Sequence, residues 1–291
     1  PSLVLSNGGR ALFVEGSGTS VLTFEYVVPA GAVSQADIDI SRLSLGTTGA
    51  ITSAVSGNAA SLNVRSGVLS QSHDVSIDTE LPQGVIELAA TSLKSGETAN
   101  VTITFNEDVS NPFDAITVSN GTLSALVSDT SGGSDNGAQL GRVWTGVFTP
   151  NDDIEVSSNT LILDNAKVQD RAGNVGVGLS SSNGVLIDTQ GPQVVITGAI
   201  RPDNARLMTL HFGEPVSDLT VDKIIVANGT KGDLVKLSES TYTLVVQPLA
   251  ANPTGSLEIS LAANAVSDAM GNLNAAMSVP HAMPWDVTAP R

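Results

Sequence analysis

Apolar and polar residues alternate along most of this chain. The alternation is clearest at residues 101–105, 194–196 and 257–261, where apolar side chains recur at every second position and their neighbours are mostly Thr and Ser. A side-chain period of two is that of a β-strand with one buried face. The 3.6-residue period of an amphipathic helix is nearly absent. The pattern therefore predicts an all-β chain.

Turn signals separate these runs at about the spacing expected for short strands. They are Asn7-Gly8-Gly9, Ser95-Gly96, Asn120-Gly121, Ser131-Gly132-Gly133, Asn136-Gly137, Asn183-Gly184 and Asn228-Gly229. Short strands with dense turns predict a β-sandwich or a barrel.

A motif recurs along the chain with a period near 100 residues. Residues 170–174 (Asp-Arg-Ala-Gly-Asn) precede 188–192 (Asp-Thr-Gln-Gly-Pro), and residues 268–272 (Asp-Ala-Met-Gly-Asn) precede 286–290 (Asp-Val-Thr-Ala-Pro). In both copies the second Asp comes 14 positions after the Asn. This period is too long for a solenoid unit and fits a whole domain, which favours sandwiches in tandem.

A weaker third copy runs from residues 56–58 (Ser-Gly-Asn) to 78–82 (Asp-Thr-Glu-Leu-Pro). Boundaries at the Asp-led joints divide the chain into three predicted sandwiches, residues 1–77, 78–187 and 188–291, named the first, second and third modules below. Since the acids recur at the joints between copies, we expect an extended rod of modules rather than one compact enzyme.

The first module is expected to be partial. Its run Phe24–Pro29 matches Trp144–Pro150 and Tyr242–Pro248, yet only 28 residues precede Pro29, fewer than precede the matching proline in either other module. The shortfall is about 30–40 residues, or roughly two strands. A truncated or incomplete sequence is the favoured interpretation, and the alternative is that another chain supplies the strands by β-augmentation.

Composition narrows the classes of partner and environment. The 291 residues carry a net charge of −16 with 13 basic side chains, so we expect no nucleic-acid partner and no attraction to an anionic membrane. No run of about 18 apolar residues occurs, which predicts no membrane insertion. The chain has no cysteine, which excludes disulfides and zinc–thiolate sites as sources of rigidity.

Three short motifs occur in the same order in both later modules: Phe-x-Glu-x-Val-Ser at 105–110 and 212–217, Asn-Gly-Thr at 120–122 and 228–230, and then Asp-x-x-Gly-Asn. The second module closes with a fourth, Ile-Asp-Thr-x-x-Pro at 187–192, whereas the third closes with Trp285-Asp286-Val287. In this order they resemble the bacterial immunoglobulin-like repeats of giant surface adhesins, including the repeats-in-toxin and biofilm-associated types. The first module resembles a sister variety. The resemblance covers essentially the whole chain.

The resemblance implies immunoglobulin-like sandwiches of about seven strands, calcium-rigidified joints, and an extracellular role at the bacterial surface. In a sandwich, the incoming linker, the loop after the second strand and the loop before the last strand meet at one end. Ca²⁺ takes six to eight oxygen ligands, and crowded carboxylates repel one another unless a cation binds. The predicted metal ligands are Asp78, Glu107, Asp108, Asp170 and Asn174 in the second module, and Asp188, Glu214, Asp268 and Asn272 in the third.

A metal-free interpretation of the same residues stays open, because Asp and Asn are ordinary turn formers that cap their own loops. Some positions also depart from the motif. Ser53 stands where the first module should have the loop Asp, and Pro215 stands where the second module has Asp108. The acidic residues at 152–155 are a looser candidate, for which a solvated loop is the favoured interpretation.

The sequence predicts a protein that is not an enzyme, because no metalloprotease motif, nucleophile elbow or Walker loop is present. The favoured function is a calcium-binding structural extender of a bacterial cell-surface adhesin or biofilm matrix protein, whose partners are the neighbouring domains of the same long chain. The alternative is a self-assembling filament or surface-layer subunit completed by strand exchange between copies. A third candidate is an accessory module of a secreted polysaccharide-active enzyme.

Overall fold

The structure is a computed structural model. It describes residues 1–29, 32, 34–47, 49–65, 67, 69, 75–129, 133–135, 137–249 and 254–286. The predicted turns at 131–133 and 136–137 lie partly outside these residues, as does the last joint motif beyond Asp286.

Within its described residues, the second module contains thirteen strands, most of them short. Numbered after strands β1–β4 of the first module, they are β5 (Gly84–Leu88), β6 (Ser92–Lys94), β7 (Ala99–Val109), β8 (Ile116–Thr117), β9 (Gly121–Leu123), β10 (Val127–Ser128), β11 (Ser134–Asp135), β12 (Ala138–Gln139), β13 (Gly141–Pro150), β14 (Glu155–Asn159), β15 (Ile162–Asp164), β16 (Leu179–Ser181) and β17 (Val185–Asp188). Two 3₁₀ turns cover Phe113–Ala115 and Asn165–Lys167.

One sheet of this module has the order β10-β13-β7-β5, with β9 also pairing with β13. The others are β14-β17-β6 and β16-β15-β8. Alternation in β7 produces the core as the sequence predicts, since Val101 and Ile103 are fully buried and Phe105 is 3% exposed while Thr104 faces solvent. Trp144 completes this core, and its indole Nε1 donates to the Gly141 carbonyl at 3.0 Å.

The third module repeats this arrangement with fewer and longer strands. They are β18 (Val194–Ile200), β19 (Arg206–Phe212), β20 (Ile224–Ala227), β21 (Gly229–Ser238), β22 (Thr241–Pro248), β23 (Thr254–Leu261) and β24 (His281–Asp286), and a 3₁₀ turn covers Val221–Lys223. The sheets are β18-β19-β22-β21 and β20-β23-β24. Leu257, Ile259 and Leu261 are buried as their alternation predicts, and Phe212 meets Tyr242 edge-to-face with ring centroids 6.3 Å apart.

The first module has one described sheet, ordered β3-β2-β1-β4. Its strands are β1 (Ser2–Leu5), β2 (Arg10–Glu15), β3 (Thr23–Glu25) and β4 (Ile40–Ser44). Among its described residues, the buried apolar cluster consists of Leu5, Ile38 and Ile77, fewer than in the clusters described for the other two modules. That the module is partial remains a prediction.

Among the described residues, no helix has the length and apolar character needed to cross a membrane.

Candidate metal centre

The site in the second module begins with the loop at 170–174. The Asp170 carboxylate accepts hydrogen bonds from the backbone N–H groups of Gly173 and Asn174, each at 2.8 Å through Oδ1. Its Oδ2 accepts from the Asn174 side-chain Nδ2, also at 2.8 Å. Gly173 has φ +95°, a backbone conformation that other residues rarely adopt, so the glycine of the motif is needed to close the loop.

Asn174 joins this loop to the linker. Its Nδ2 also donates to the main-chain carbonyl of Asp78, at 3.1 Å. The side-chain amide therefore holds the first residue of the second module against the loop that precedes its last strands. The sequence predicted that linker and loop meet; the structure adds that the Asn amide donates to both.

Glu107 reaches the same place from β7, two residues beyond the buried Phe105. Carboxylate oxygens of Asp78, Glu107 and Asp170 all lie within 4.8 Å of one another. Glu107 Oε1 is buried and has no hydrogen-bond partner among the described residues. Three segments distant in sequence thus bring their carboxylates to one point.

The electrostatics of this cluster are unfavourable without a cation. Burial, followed by the charges of Asp170, Asp78 and Glu80, raises the pKa of Glu107 from 4.5 to about 7. A pKa this high means that the ionised carboxylate is penalised in the folded chain. An ion with a preference for oxygen ligands would remove that penalty.

Asp108 lies beside the cluster, in a recess lined by Asp78, Glu107, Asp108, Leu140, Arg142 and Arg171. Its Oδ1 is 3.4 Å from Nε of Arg142, so the carboxylate already has a cationic neighbour. Of the five residues predicted in this module, three form the cluster, Asn174 holds the linker, and Asp108 forms an ion pair at its edge.

The third module repeats this loop at residues 268–272, next to the joint residue Asp188. The end of a module that carries this loop and the joint Asp is called its head below. Asp268 Oδ1 accepts from the Asn272 backbone N–H at 2.8 Å, and its Oδ2 accepts from Asn272 Nδ2 at the same distance. The same Nδ2 donates to the carbonyl of Asp188 at 2.9 Å. The predicted equivalence of the two loops therefore extends to individual hydrogen bonds.

The carboxylates at this second head are arranged more loosely. Burial and then Asp268 raise the pKa of both Asp188 and Glu214, so the three acids are near one another. Within the described residues, however, only the cluster in the second module brings three carboxylates within 4.8 Å.

Glu155 is a residue that sequence reasoning assigned to a solvated loop. It is exposed, but it lies in β14 directly opposite Asp188 of β17 in the strand register. Its charge contributes to the raised pKa of Asp188 and of Glu214. Ser34 has the comparable place at the first joint, where its hydroxyl donates to Asp78 Oδ1 at 3.0 Å. Sequence spacing gave no signal for Glu155, because its position depends on the pairing of β14 with β17.

Comparison with known proteins identifies the family of the second and third modules. The profile of the bacterial Ig-like domain matches residues 78–187 and again residues 188–283, well over half of the chain. The chain belongs to the bacterial Ig-like domain family. The predicted fold class, an all-β chain of Ig-like sandwiches in tandem, is confirmed.

Solved structures similar to this Ig-like chain include the Escherichia coli adhesin FdeC and an I-band fragment of titin. The adhesin is 12% identical over 72% of this chain and 67% of its own, with a TM-score of 0.34. The titin fragment is 9% identical over 71% of this chain and 65% of its own, with a TM-score of 0.29. No curated protein matches the chain.

Proposed function

We propose that this chain is a non-catalytic extender region of a bacterial cell-surface adhesin, of the repeats-in-toxin or biofilm-associated type, in which calcium stiffens the joints between Ig-like modules. The observation that carries the proposal is the convergence of Asp78, Glu107 and Asp170 within 4.8 Å. Asp78 belongs to the linker, whereas the other two belong to the body of the module. An ion held by all three ties the linker to the module.

The donor set fits calcium. All three side chains offer carboxylate oxygens, which hard cations prefer, and the described residues that line the recess include no histidine or sulfur ligand, although Arg142 and Arg171 also line it. The buried Oε1 of Glu107 is available for coordination, since no described residue hydrogen-bonds to it. Backbone carbonyls and water complete a calcium shell in most protein sites. The roles of Asp108, Asn174 and the third-module residues as ligands remain predictions.

The extender function follows from repetition. Modules of one family succeed one another with the same linker-to-loop hydrogen bond at each head, Asn174 to Asp78 and Asn272 to Asp188. Such a series lengthens a protein without adding a reactive site. The net charge of −16 keeps a long chain soluble, which suits an extracellular location.

Calcium titration of the whole chain tests the metal part. At calcium 100-fold above its dissociation constant, binding to the folded state adds about 2.7 kcal/mol to the unfolding free energy of the module that binds it. We expect a higher melting temperature in calcium than in chelator, and a straighter particle by small-angle scattering. Magnesium serves as the control, because it fits flexible multi-carboxylate sites less well.

Glu107→Gln keeps the size of the side chain and removes its charge, so it should abolish the strongest calcium-binding event in calorimetry. Glu214→Gln is the matched variant in the third module and should leave that event intact. Identical melting curves with calcium and with chelator for the unmodified chain would refute calcium stiffening.

A self-assembling filament subunit is the second candidate, favoured by the surface of the first module. Leu12, Val14 and Val27 are 62%, 54% and 73% exposed, an apolar surface that a strand from another copy could cover. Sedimentation velocity over a range of concentrations distinguishes the two functions. Growth of ordered oligomers with concentration supports the filament, and a monomer throughout supports the extender.

A further inference from the structure

A direct hydrogen bond crosses the joint between the second and third modules. The backbone N–H of Ser95 donates to Oδ1 of Asn272 at 2.9 Å. Lys94 and Ser95 line one side of a groove at this joint, and Thr189, Gly191 and residues 271–273 line the other.

Ser95 is presented by a tight turn. The Glu97 N–H donates to the Lys94 carbonyl at 3.1 Å, and Gly96 has φ +81°. Because φ is positive at the third residue and not at Ser95, the second, this is a type II turn. The N–H of Ser95 is not used inside such a turn, so it is free to donate across the joint.

Asn272 receives the contact at the centre of the third-module head. Its Nδ2 donates to Asp268 and to the carbonyl of Asp188, so accepting from Ser95 gives its amide three protein partners. These bonds hold the side chain in one orientation. The cross-joint acceptor is therefore positioned by the third module itself.

The linker supplies a second attachment, on the other side of the joint. The backbone N–H of Thr189 donates to the Ile154 carbonyl at 2.8 Å, and the Thr189 hydroxyl donates to the Asn151 carbonyl at 2.9 Å. The linker is thus held to the second module, while Asn272 holds it to the third through Asp188.

We propose that the Ser95–Asn272 hydrogen bond is a latch that fixes the orientation of the third module on the second without any metal ion. One attachment through the linker leaves the modules able to rotate about it, and a second attachment removes that freedom. Relative motion of domains is otherwise the default across small interfaces. The latch goes beyond the calcium proposal and does not depend on it.

Ser95→Pro tests the latch by removing the N–H donor together with the hydroxyl. Proline is favoured at the second position of a type II turn, and the preceding Lys94 lies in strand β6, a conformation that a following proline accepts. The third module has Pro202 four residues before the start of β19, where Ser95 stands four residues before β7, so the fold tolerates proline there. Ser95→Ala is the matched control, because it keeps the N–H and loses only the hydroxyl.

The absence of cysteine allows two spin labels to be attached at introduced cysteines, for example at the exposed positions of Thr104→Cys and Glu258→Cys. Pulsed electron resonance of the full chain in chelator then gives the distribution of distances between the two modules. We expect narrow distributions for the unmodified chain and for Ser95→Ala. Ser95→Pro should widen the distribution on the order of twofold, as free interdomain motion requires.

Equal widths for Ser95→Pro and Ser95→Ala would overturn the latch. Hydrogen exchange at the Ser95 amide gives a second measurement on the unmodified chain. Slow exchange is expected if the N–H is bonded across the joint, and exchange as fast as that of an exposed turn amide would also overturn the proposal. Because all these measurements are made in chelator, their outcome is separate from that of the calcium titration.

Discussion

The heads of the second and third modules use one loop for two different joints. In both, the loop Asn donates to the loop Asp and to the carbonyl of the joint Asp. At the first joint, three carboxylates cluster around this loop, and the hydroxyl of Ser34 in the preceding module donates a hydrogen bond to Asp78. At the second joint the carboxylates are looser, Glu155 lies opposite Asp188, and Ser95 bonds directly to Asn272.

The same Asp-x-x-Gly-Asn loop has the same internal hydrogen bonds at both joints but different neighbours. The Asp-x-x-Gly-Asn loop is explained in both modules by its own hydrogen bonds, as the turn interpretation expects. What differs is what neighbouring segments bring to it. The motif alone therefore does not distinguish a joint suited to a cation from a joint held by direct contact.

One aligned pair illustrates how the interiors of the two modules differ. In the second module Ala99 lies opposite Phe148, and at the matching register of the third module Arg206 lies opposite Val246. All four residues are buried. The second module thus pairs a small residue with a large one, whereas the third pairs a long residue with one of intermediate size.

The largest expected effect is on this pair. Phe148→Ala should lower the unfolding free energy of the second module by about 3–5 kcal/mol, because it leaves a large cavity. Val246→Ala removes less volume and should cost the third module about 2 kcal/mol. Denaturant unfolding followed by amide resonances from each module measures both. Equal losses of unfolding free energy would contradict the expectation that Phe148 fills more of its core than Val246 fills of its own.

The next effect concerns pH and compares the two acidic heads without metal. Since the folded pKa of Glu107 is about 7 and its ordinary value is 4.5, the unfolded chain ionises this group first as pH rises. The stability of the second module should therefore fall between about pH 4.5 and 7 and level off above that. Melting temperatures measured in chelator across this range test the slope.

Glu107→Gln should flatten the pH slope of the second module. In the third module Glu214 also has a raised pKa, so Glu214→Gln should change its slope in the same direction. A second module whose melting temperature rises with pH over this window would show that burial does not disfavour the Glu107 carboxylate.

The smallest expected effect comes from Arg206→Met. Arg206 is 3% exposed, its Nε has no hydrogen-bond partner among the described residues, and its Nη1 donates to the Asn204 carbonyl. Methionine keeps much of the apolar stem and removes a buried charge, so the change in stability should stay within about 1 kcal/mol or be favourable. Chemical denaturation measures it, and Arg206→Ala is the control, with a clear loss expected from the missing stem.

Much of the fold could be predicted because it depends on local patterns. The alternation around Ile103 and Ile259 predicted which side chains form the cores, and the repeated loop predicted where linker and module meet. The role of Glu155 was missed because it depends on the register between β14 and β17, which joins residues more than thirty positions apart. The side chain of Asn174 was predicted as a possible ligand, whereas its hydrogen bonds show what it does for the loop.

The sequence by itself determined the strand class, the repetition and the acidic joints, because these follow from periodicity, turn chemistry and the spacing of like residues. Only the tertiary structure decided which carboxylates converge and which amide meets Ser95. Those contacts join residues far apart along the chain, and their distances depend on how the sheets stack and how one module is set on the next. Sequence spacing contains no measure of either.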